Sequence, residues 1–274
     1  MLLRMQYKNH INETVDFGSG GIYVNASDLR DYEWDISTRG NRVSALSRGV
    51  ASRTLPVIIY CDTTAEALVA KNKLLEVAEK DVLAMQPGKV IVGSYYYQCY
   101  VTQSRKSTYA RNPRYLEVEL TLTSDRPVWV KETLYAFDGE QAGIQADFLD
   151  FPHDYPYDFS NSFAAQELLN SGFVGTDFRI DIFGACVNPQ ITINGHVYQV
   201  LTDLAAGEYL TINSARKTIV KTAQDGTQTN LFNDRNKESY IFEKIQPGVN
   251  SVTWDGSFNF SVTILEERSE PKWI

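Results

Sequence analysis

The chain has 274 residues, 43% of them hydrophobic and 22% charged, and its formal net charge is −8. This length and composition predict two globular domains rather than a disordered chain. The acidic balance argues against a dedicated nucleic-acid binder and against docking on an anionic membrane, since neither surface attracts a negatively charged protein over long range.

The first predicted elements are short strands over residues 1–25 and a strand over residues 27–38. The stretch 38–50 is polar, basic and punctuated by glycine, and it shows no regular period, so we interpret it as a long loop. We expect this loop to be mobile, or to become ordered only in an assembly. A strand over residues 53–61 follows it.

One helix is predicted after that strand. Thr63 and Glu66 match a capping box, in which each side chain satisfies a free backbone N–H of the first turn. The segment is closed by Pro87-Gly88. The apolar residues that fall on one stripe at helical spacing, and that we expect to be buried, are Ala67, Leu68, Leu74, Leu75 and Ala78.

Strands dominate the remainder. Residues 115–123 alternate apolar and polar side chains, which is typical of a half-buried antiparallel strand. Three X-Gly pairs further on predict tight hairpins, because both positions of such a turn need a positive φ. These pairs are Asn194-Gly195, Asp225-Gly226 and Asp255-Gly256.

The sequence therefore predicts a mainly β protein with two domains. Residues 1–134 are expected to form a β-sandwich or barrel with one packed helix. Residues 135–274 are expected to form a second β-sandwich of jelly-roll type, because their strands recur at regular spacing.

The second domain begins with an aromatic and acidic segment, Asp150 to Phe159, in which two prolines interrupt any regular element. We interpret it as a linker or an ordered crossing. Asp154 and Asp158 could bind Ca²⁺ or cap a turn, and we predict no metal site there. The aromatic side chains expected to pack between the domains are Phe151, Tyr155, Tyr157 and Phe159.

The sequence contains little that could perform catalysis. Its three histidines, His10, His153 and His196, have no zinc-ligand spacing, and neither a nucleophile elbow nor a Walker loop occurs. We predict no catalytic residue, no cofactor and no metal, and hence a protein that is not an enzyme. The three cysteines form no CxxC motif, so buried thiols in a reducing compartment are expected.

A basic run interrupts the acidic chain at the predicted loop. It consists of Arg39, Arg42, Arg48 and Arg53. It is either a solvated loop or a contact surface for an acidic neighbour, where guanidinium groups pair with carboxylates. Nucleic acid is disfavoured because no aromatic residue is interleaved in the loop. In the second domain, Trp254 and Tyr198 could stack on sugars, or they could belong to the core.

Three stretches together indicate a family. They are the segment Phe151 to Phe159, the motifs that begin at Asn188, Gly207 and Pro247, and the first-half order of strands, basic loop, strand, helix and strands up to Pro127. In this set the chain resembles the distal tail proteins of non-contractile, long-tailed phages that infect Gram-positive bacteria. The resemblance covers nearly the whole chain.

The resemblance implies a virion protein assembled in the host cytoplasm. It implies a tail-tube-like first domain, a galectin-like second domain and a homohexameric ring. The ring would be the hub between the tail tube protein and the tail-associated lysin or tail-tip protein, and in some members it holds receptor-binding or baseplate proteins. No export signal or membrane span is evident in the sequence, which fits this expectation. The alternative function is a carbohydrate-binding module that contacts the host cell wall.

Overall fold

A computed structural model describes residues 5–25, 27–106, 112–139 and 167–273. The chain divides into two compact units, Met1–Lys131 together with Glu267–Ile274, and Glu132–Glu266. The elements that begin in the first unit are β1 (Met5–Lys8), β2 (Thr14–Phe17), β3 (Ile22–Val24), β4 (Asp35–Arg39), β5 (Arg42–Ser47), β6 (Ala51–Tyr60), α1 (Thr64–Ala84), β7 (Gly88–Val92), β8 (Tyr95–Lys106), β9 (Tyr115–Ser124) and β10 (Trp129–Phe137).

The second unit contains short strands and one turn of 3₁₀ helix, Phe232–Asp234. Its strands are β11 (Glu167–Asn170), β12 (Asp177–Phe183), β13 (Cys186–Val187), β14 (Gln190–Ile193), β15 (His196–Gln199), β16 (Asp203–Leu204), β17 (Tyr209–Asn213), β18 (Thr218–Thr222), β19 (Gln228–Asn230), β20 (Gly248–Thr253) and β21 (Asn259–Arg268). The chain passes from the first unit to the second within β10 and returns within β21.

The first unit is built from antiparallel strands in the order β3-β6-β9-β8-β7-β1-β2. Strand β8 belongs to both halves of this order, because residues 95–99 pair with β7 and residues 100–106 pair with β9. The predicted alternation of β9 is confirmed: its leucine and valine side chains are buried and contribute to a core with β6 and α1. Burial of this continuous apolar surface drives the folding of the unit.

Helix α1 begins with the predicted capping box. The backbone N–H of Glu66 donates to Thr63 Oγ1, and that of Thr63 donates to Glu66 Oε2, both at 3.2 Å. The helix ends at Ala84, and Met85 follows with a left-handed φ of 51°. Both ends therefore satisfy backbone groups that the helix leaves unpaired.

The buried face of α1 is narrower than the predicted stripe. Ala67, Leu74 and Ala78 are buried as expected, whereas the prediction was wrong for Leu68 and Leu75, which are 54% and 37% exposed. Each successive residue turns roughly 100° around the helix, so Leu75 cannot share the face of Leu74. The small alanines allow the helix to pack closely, and only a narrow strip is covered.

The second unit is a sandwich of two antiparallel sheets. One contains β19-β18-β17-β12-β21 and the other β11-β20-β14-β15, with a small β13-β16 pair beside them. Phe178, Ile180 and Ile182 of β12 point into the core that both sheets share. The predicted fold class, a mainly β protein with one helix, is confirmed.

The three X-Gly turns differ from one another. Asn194 and Gly195 both have positive φ, 51° and 79°, and join β14 to β15 as predicted. Asp225 does not have a positive φ, and its hairpin has a longer loop. Asp255-Gly256 was wrongly predicted as a hairpin, because the flanking strands β20 and β21 pair with strands of different sheets. Asp255 Oδ1 instead accepts from the backbone N–H of Ser257, in a local turn.

Candidate interaction surface

The stretch predicted as a loop forms a β-hairpin, β4–β5. Asp35 pairs with Ser47, and Arg39 pairs with Arg42 across a two-residue turn. Gly40, the first turn residue, has a φ of 60°, which suits a glycine in a tight hairpin turn. The loop interpretation was wrong because the pairing register shifts by one residue between Ser37 and Thr38. This bulge interrupts the alternation by which a strand is recognised.

The bulge gives the hairpin one apolar face. In the register, Ile36 is opposite Leu46, and Thr38 is opposite Val43. Val43 and Leu46 are three residues apart and would lie on opposite faces of a regular strand, but the extra residue places them on the same face. Ile36, Val43 and Leu46, called the hairpin face below, are 63%, 61% and 56% exposed. An isolated two-stranded hairpin is marginally stable, so a face of this kind is suited to contact with another surface.

The base of the hairpin is held by the rest of its unit. The guanidinium of Arg48 lies 3.9 Å from the ring centroid of Trp34, and it also donates to Ser269 Oγ. Burial lowers the pKa of Arg48, an effect that the charge of Glu267 opposes. The backbone N–H of Gly49 donates to Asp35 Oδ2 at 2.8 Å.

The four arginines of the basic run therefore occupy different environments. Arg39 and Arg42 are exposed at the hairpin tip, and neither pairs with a carboxylate of the described part of the chain. Arg48 packs at the base, and Arg53 Nε donates to the carbonyl oxygen of Asp31 at 3.0 Å. Only the two tip arginines remain available to a neighbour, so an interface role for all four stays a prediction.

A second exposed apolar surface lies on α1. Leu68, Leu75 and Val82, called the helix stripe below, recur every seven residues and are 54%, 37% and 37% exposed. Glu76 and Glu79 are exposed on one flank of the stripe. The sequence signal for this surface is the spacing of seven, which is separate from the stripe that the helix buries.

The aromatic segment of the prediction lies outside the described residues. This applies to Phe151, Tyr155, Tyr157 and Phe159, and equally to His153, Asp154 and Asp158. Their packing role and the absence of a metal there stay predictions. In the described ranges, no group of three or more His, Cys, Asp or Glu side chains could hold a metal ion.

His10 belongs to a buried network that joins α1 to β1 and the turn after it. Asp81 of α1, fully buried, accepts from the hydroxyl of Tyr7 at 2.5 Å and from the backbone N–H of His10 at 2.8 Å. The ring Nδ1 of His10 is 2.6 Å from Asp81 Oδ1. Burial, followed by the hydrogen bond to Asp81, raises the pKa of Tyr7. The network satisfies a buried carboxylate, which explains why a polar residue is tolerated on the buried helix face.

The second unit has a polar cleft of about 440 Å³. Its lining residues are Asn188, Gln190, Thr192, Gln199, Thr253, Trp254 and Asp255. The indole of Trp254 packs edge-on against Phe260 at 5.1 Å and donates to the carbonyl oxygen of Phe258 at 3.1 Å. Tyr198 is buried, and its hydroxyl donates to the carbonyl oxygen of Glu243. Tyr198 is therefore a core residue, and of the two aromatic residues only Trp254 borders the cleft.

All three cysteines are free and buried, as expected. Burial raises the pKa of Cys186 to about 11 and that of Cys99 beyond its usual range, so these thiols are unreactive at neutral pH. None of the helices in the described ranges is long and apolar enough to cross a membrane.

No family model matches the chain, and no curated protein matches it in sequence. Solved structures do match in fold. The Dit protein of phage SPP1, described as a paradigm of hub adsorption apparatus in phages infecting Gram-positive bacteria, is 12% identical, with a TM-score of 0.58 over 98% of this chain and all of that one. The phage P2 baseplate in its activated conformation with Ca is 11% identical, with a TM-score of 0.65 over 99% of this chain and all of the matched one. The same baseplate with Sr is 10% identical, with the same TM-score and coverage.

At these identities the likeness establishes the fold. The chain has the fold of phage hub and baseplate proteins over nearly its full length, and the resemblance to distal tail proteins is supported by structure as well as by sequence.

Proposed function

We propose that this chain is the structural hub of a phage tail tip. Six copies form a ring that joins the tail tube protein to the tail-associated lysin or tail-tip protein and that anchors receptor-binding proteins. The protein resides in the virion, is assembled in the host cytoplasm and is not an enzyme. The observation that carries the proposal is the whole-chain likeness in fold to the SPP1 hub protein and the P2 baseplate.

The hairpin β4–β5 supports self-assembly. It presents three large apolar side chains on one face and two arginines at its tip, and its base is fixed by Arg48 and Asp35. Large exposed apolar surfaces with a polar rim mark sites of protein association. A head-to-tail contact that closes by rotation produces a cyclic oligomer, which is the form that the hub function requires.

Light scattering coupled to size-exclusion chromatography tests the proposal on the full chain. We expect a mass of six subunits, and electron micrographs of the same fraction should show a ring with a central hole. A protein that stays monomeric across the accessible concentration range would contradict the ring, because the population of an oligomer rises with concentration.

A second candidate function is carbohydrate binding by the cleft of the second unit. The amide and hydroxyl groups of Gln190, Thr192 and Thr253 are suited to hydrogen bonding with sugar hydroxyls, and Trp254 borders the same cleft. The internal packing of Trp254 makes this the weaker candidate. Titration of the full chain with cell-wall saccharides, followed by tryptophan fluorescence, tests it. A matched Gln190→Ala variant should lose any signal that arises in the cleft, and a signal that it retains would count against the cleft.

A further inference from the structure

Two exposed apolar surfaces of the first unit have oppositely charged surroundings. The hairpin face lies beside Arg39 and Arg42, which form the basic tip of the hairpin. The helix stripe is flanked by Glu76 and Glu79, while Lys71 on its other side donates to the carbonyl oxygen of Pro113 at 2.7 Å. Arginines thus border one apolar surface and carboxylates border the other.

The spacing of the apolar side chains also matches. On β5, Val43 and Leu46 are three residues apart, which corresponds to about 10 Å along a strand. On α1, Leu68, Leu75 and Val82 are seven residues apart, which corresponds to about 10.5 Å along a helix. A hairpin laid along the helix can therefore place two apolar side chains against two consecutive members of the stripe.

Both surfaces are exposed within one chain, so they do not cover each other there. A chain that carries the two halves of a complementary pair in different places can satisfy them by contact with a second copy, and such a contact is head-to-tail. We propose that the hairpin face of one copy packs on the helix stripe of the next, with Arg39 and Arg42 directed at Glu76 and Glu79. This inference rests on the proposed ring, and it identifies the two surfaces that close it.

Cysteine cross-linking between separate chains tests the contact. Val43→Cys and Leu75→Cys are introduced into different samples, which are mixed and treated with a short bismaleimide. The native thiols are buried and serve as background in the unmodified protein. We expect a cross-linked dimer in the mixture and none in either sample alone. Lys73→Cys, exposed on the same helix away from the stripe, is the matched control and should give little product.

Charge reversal gives a second measurement. Glu79→Arg should reduce the yield of the cross-link several-fold, and Arg42→Glu in the hairpin partner should restore it. If a ring forms but Val43→Cys links Leu75→Cys no better than Lys73→Cys, this contact is wrong and the hub function stands. If light scattering finds only monomer, the ring and the contact both fail.

Discussion

Two hairpins of this chain have similar sequences in outline and opposite environments. In β14–β15, Ile191, Ile193 and Tyr198 are buried in the sandwich core, whereas in β4–β5 the side chains of the hairpin face are more than half exposed. Both hairpins turn on a glycine with a positive φ, Gly195 and Gly40. The difference shows that an amphipathic hairpin alone does not determine its own surroundings. The first finds its partner surface within the same unit, and the second presents its apolar face to a surface that the chain does not provide.

The largest expected effect separates the two hairpins by stability. Ile191→Ala should lower the free energy of unfolding by about 2–5 kcal/mol, because it leaves a cavity in a packed core. The matched change Ile36→Ala should alter it by no more than about 0.5 kcal/mol in the unassembled chain, as at other exposed sites. Urea denaturation followed by circular dichroism measures both. Equal effects would mean that the hairpin face is already covered in the single chain.

The next effect concerns assembly. The double change Ile36→Ser and Leu46→Ser should dissociate the proposed ring without changing the urea midpoint of the unassembled chain, since each apolar side chain contributes about 1.5–3 kcal/mol when buried. Light scattering gives the mass of each sample. Ala45→Ser, on the opposite face of the same hairpin, is the control and should leave the mass unchanged. A ring that survives the double change would remove the hairpin face from the interface.

The two turn glycines give a closely matched comparison. A Cβ would meet no atom within 4 Å at either Gly195 or Gly40, so the cost of alanine is the backbone conformation alone, about 1–2 kcal/mol. Gly195→Ala should lower the free energy of global unfolding by that amount. Gly40→Ala should leave global unfolding unchanged and should accelerate amide hydrogen exchange only in β4 and β5. A global effect of Gly40→Ala would show that the hairpin is coupled to the core.

The smallest effect lies at the base of the hairpin. Arg48→Ala removes the contact with Trp34, which we expect to contribute about 0.5–1 kcal/mol, and Arg42→Ala at the tip removes nothing within the chain. Hydrogen exchange in β4 and β5 should therefore rise for Arg48→Ala and stay constant for Arg42→Ala. If both variants exchange alike, the base does not hold the hairpin.

The sequence was sufficient for those elements whose pattern is uninterrupted. The alternation of β9 and the capping box of α1 are local signals, and both were predicted correctly. The hairpin β4–β5 was missed because a single bulged residue destroys the alternation on which strand prediction depends. Asp255-Gly256 was misassigned because the residues of a turn do not specify which sheet receives the next strand.

The helix shows a different limit. Five apolar residues suggested one broad face, but the alanines on α1 allow such close packing that Leu68 and Leu75 stay outside. The place of Asp81 on the buried face could not be predicted either, because its partners Tyr7 and His10 are more than 70 residues away. The interaction surfaces depend on these two facts about packing, so they emerge only from the structure.

The return of the chain to the first unit has a consequence for gene architecture. Residues after Glu266 complete that unit: Ser269 accepts from Arg48, Glu270 lies 3.6 Å from Arg30, and the Arg30 guanidinium lies 4.0 Å from the Trp273 ring centroid. The second unit is thus encoded as an insertion within the first, rather than as an addition to its end. A stop codon after residue 266 would spare the inserted unit and damage its host, and the damage would fall at Arg48, the residue that anchors the hairpin.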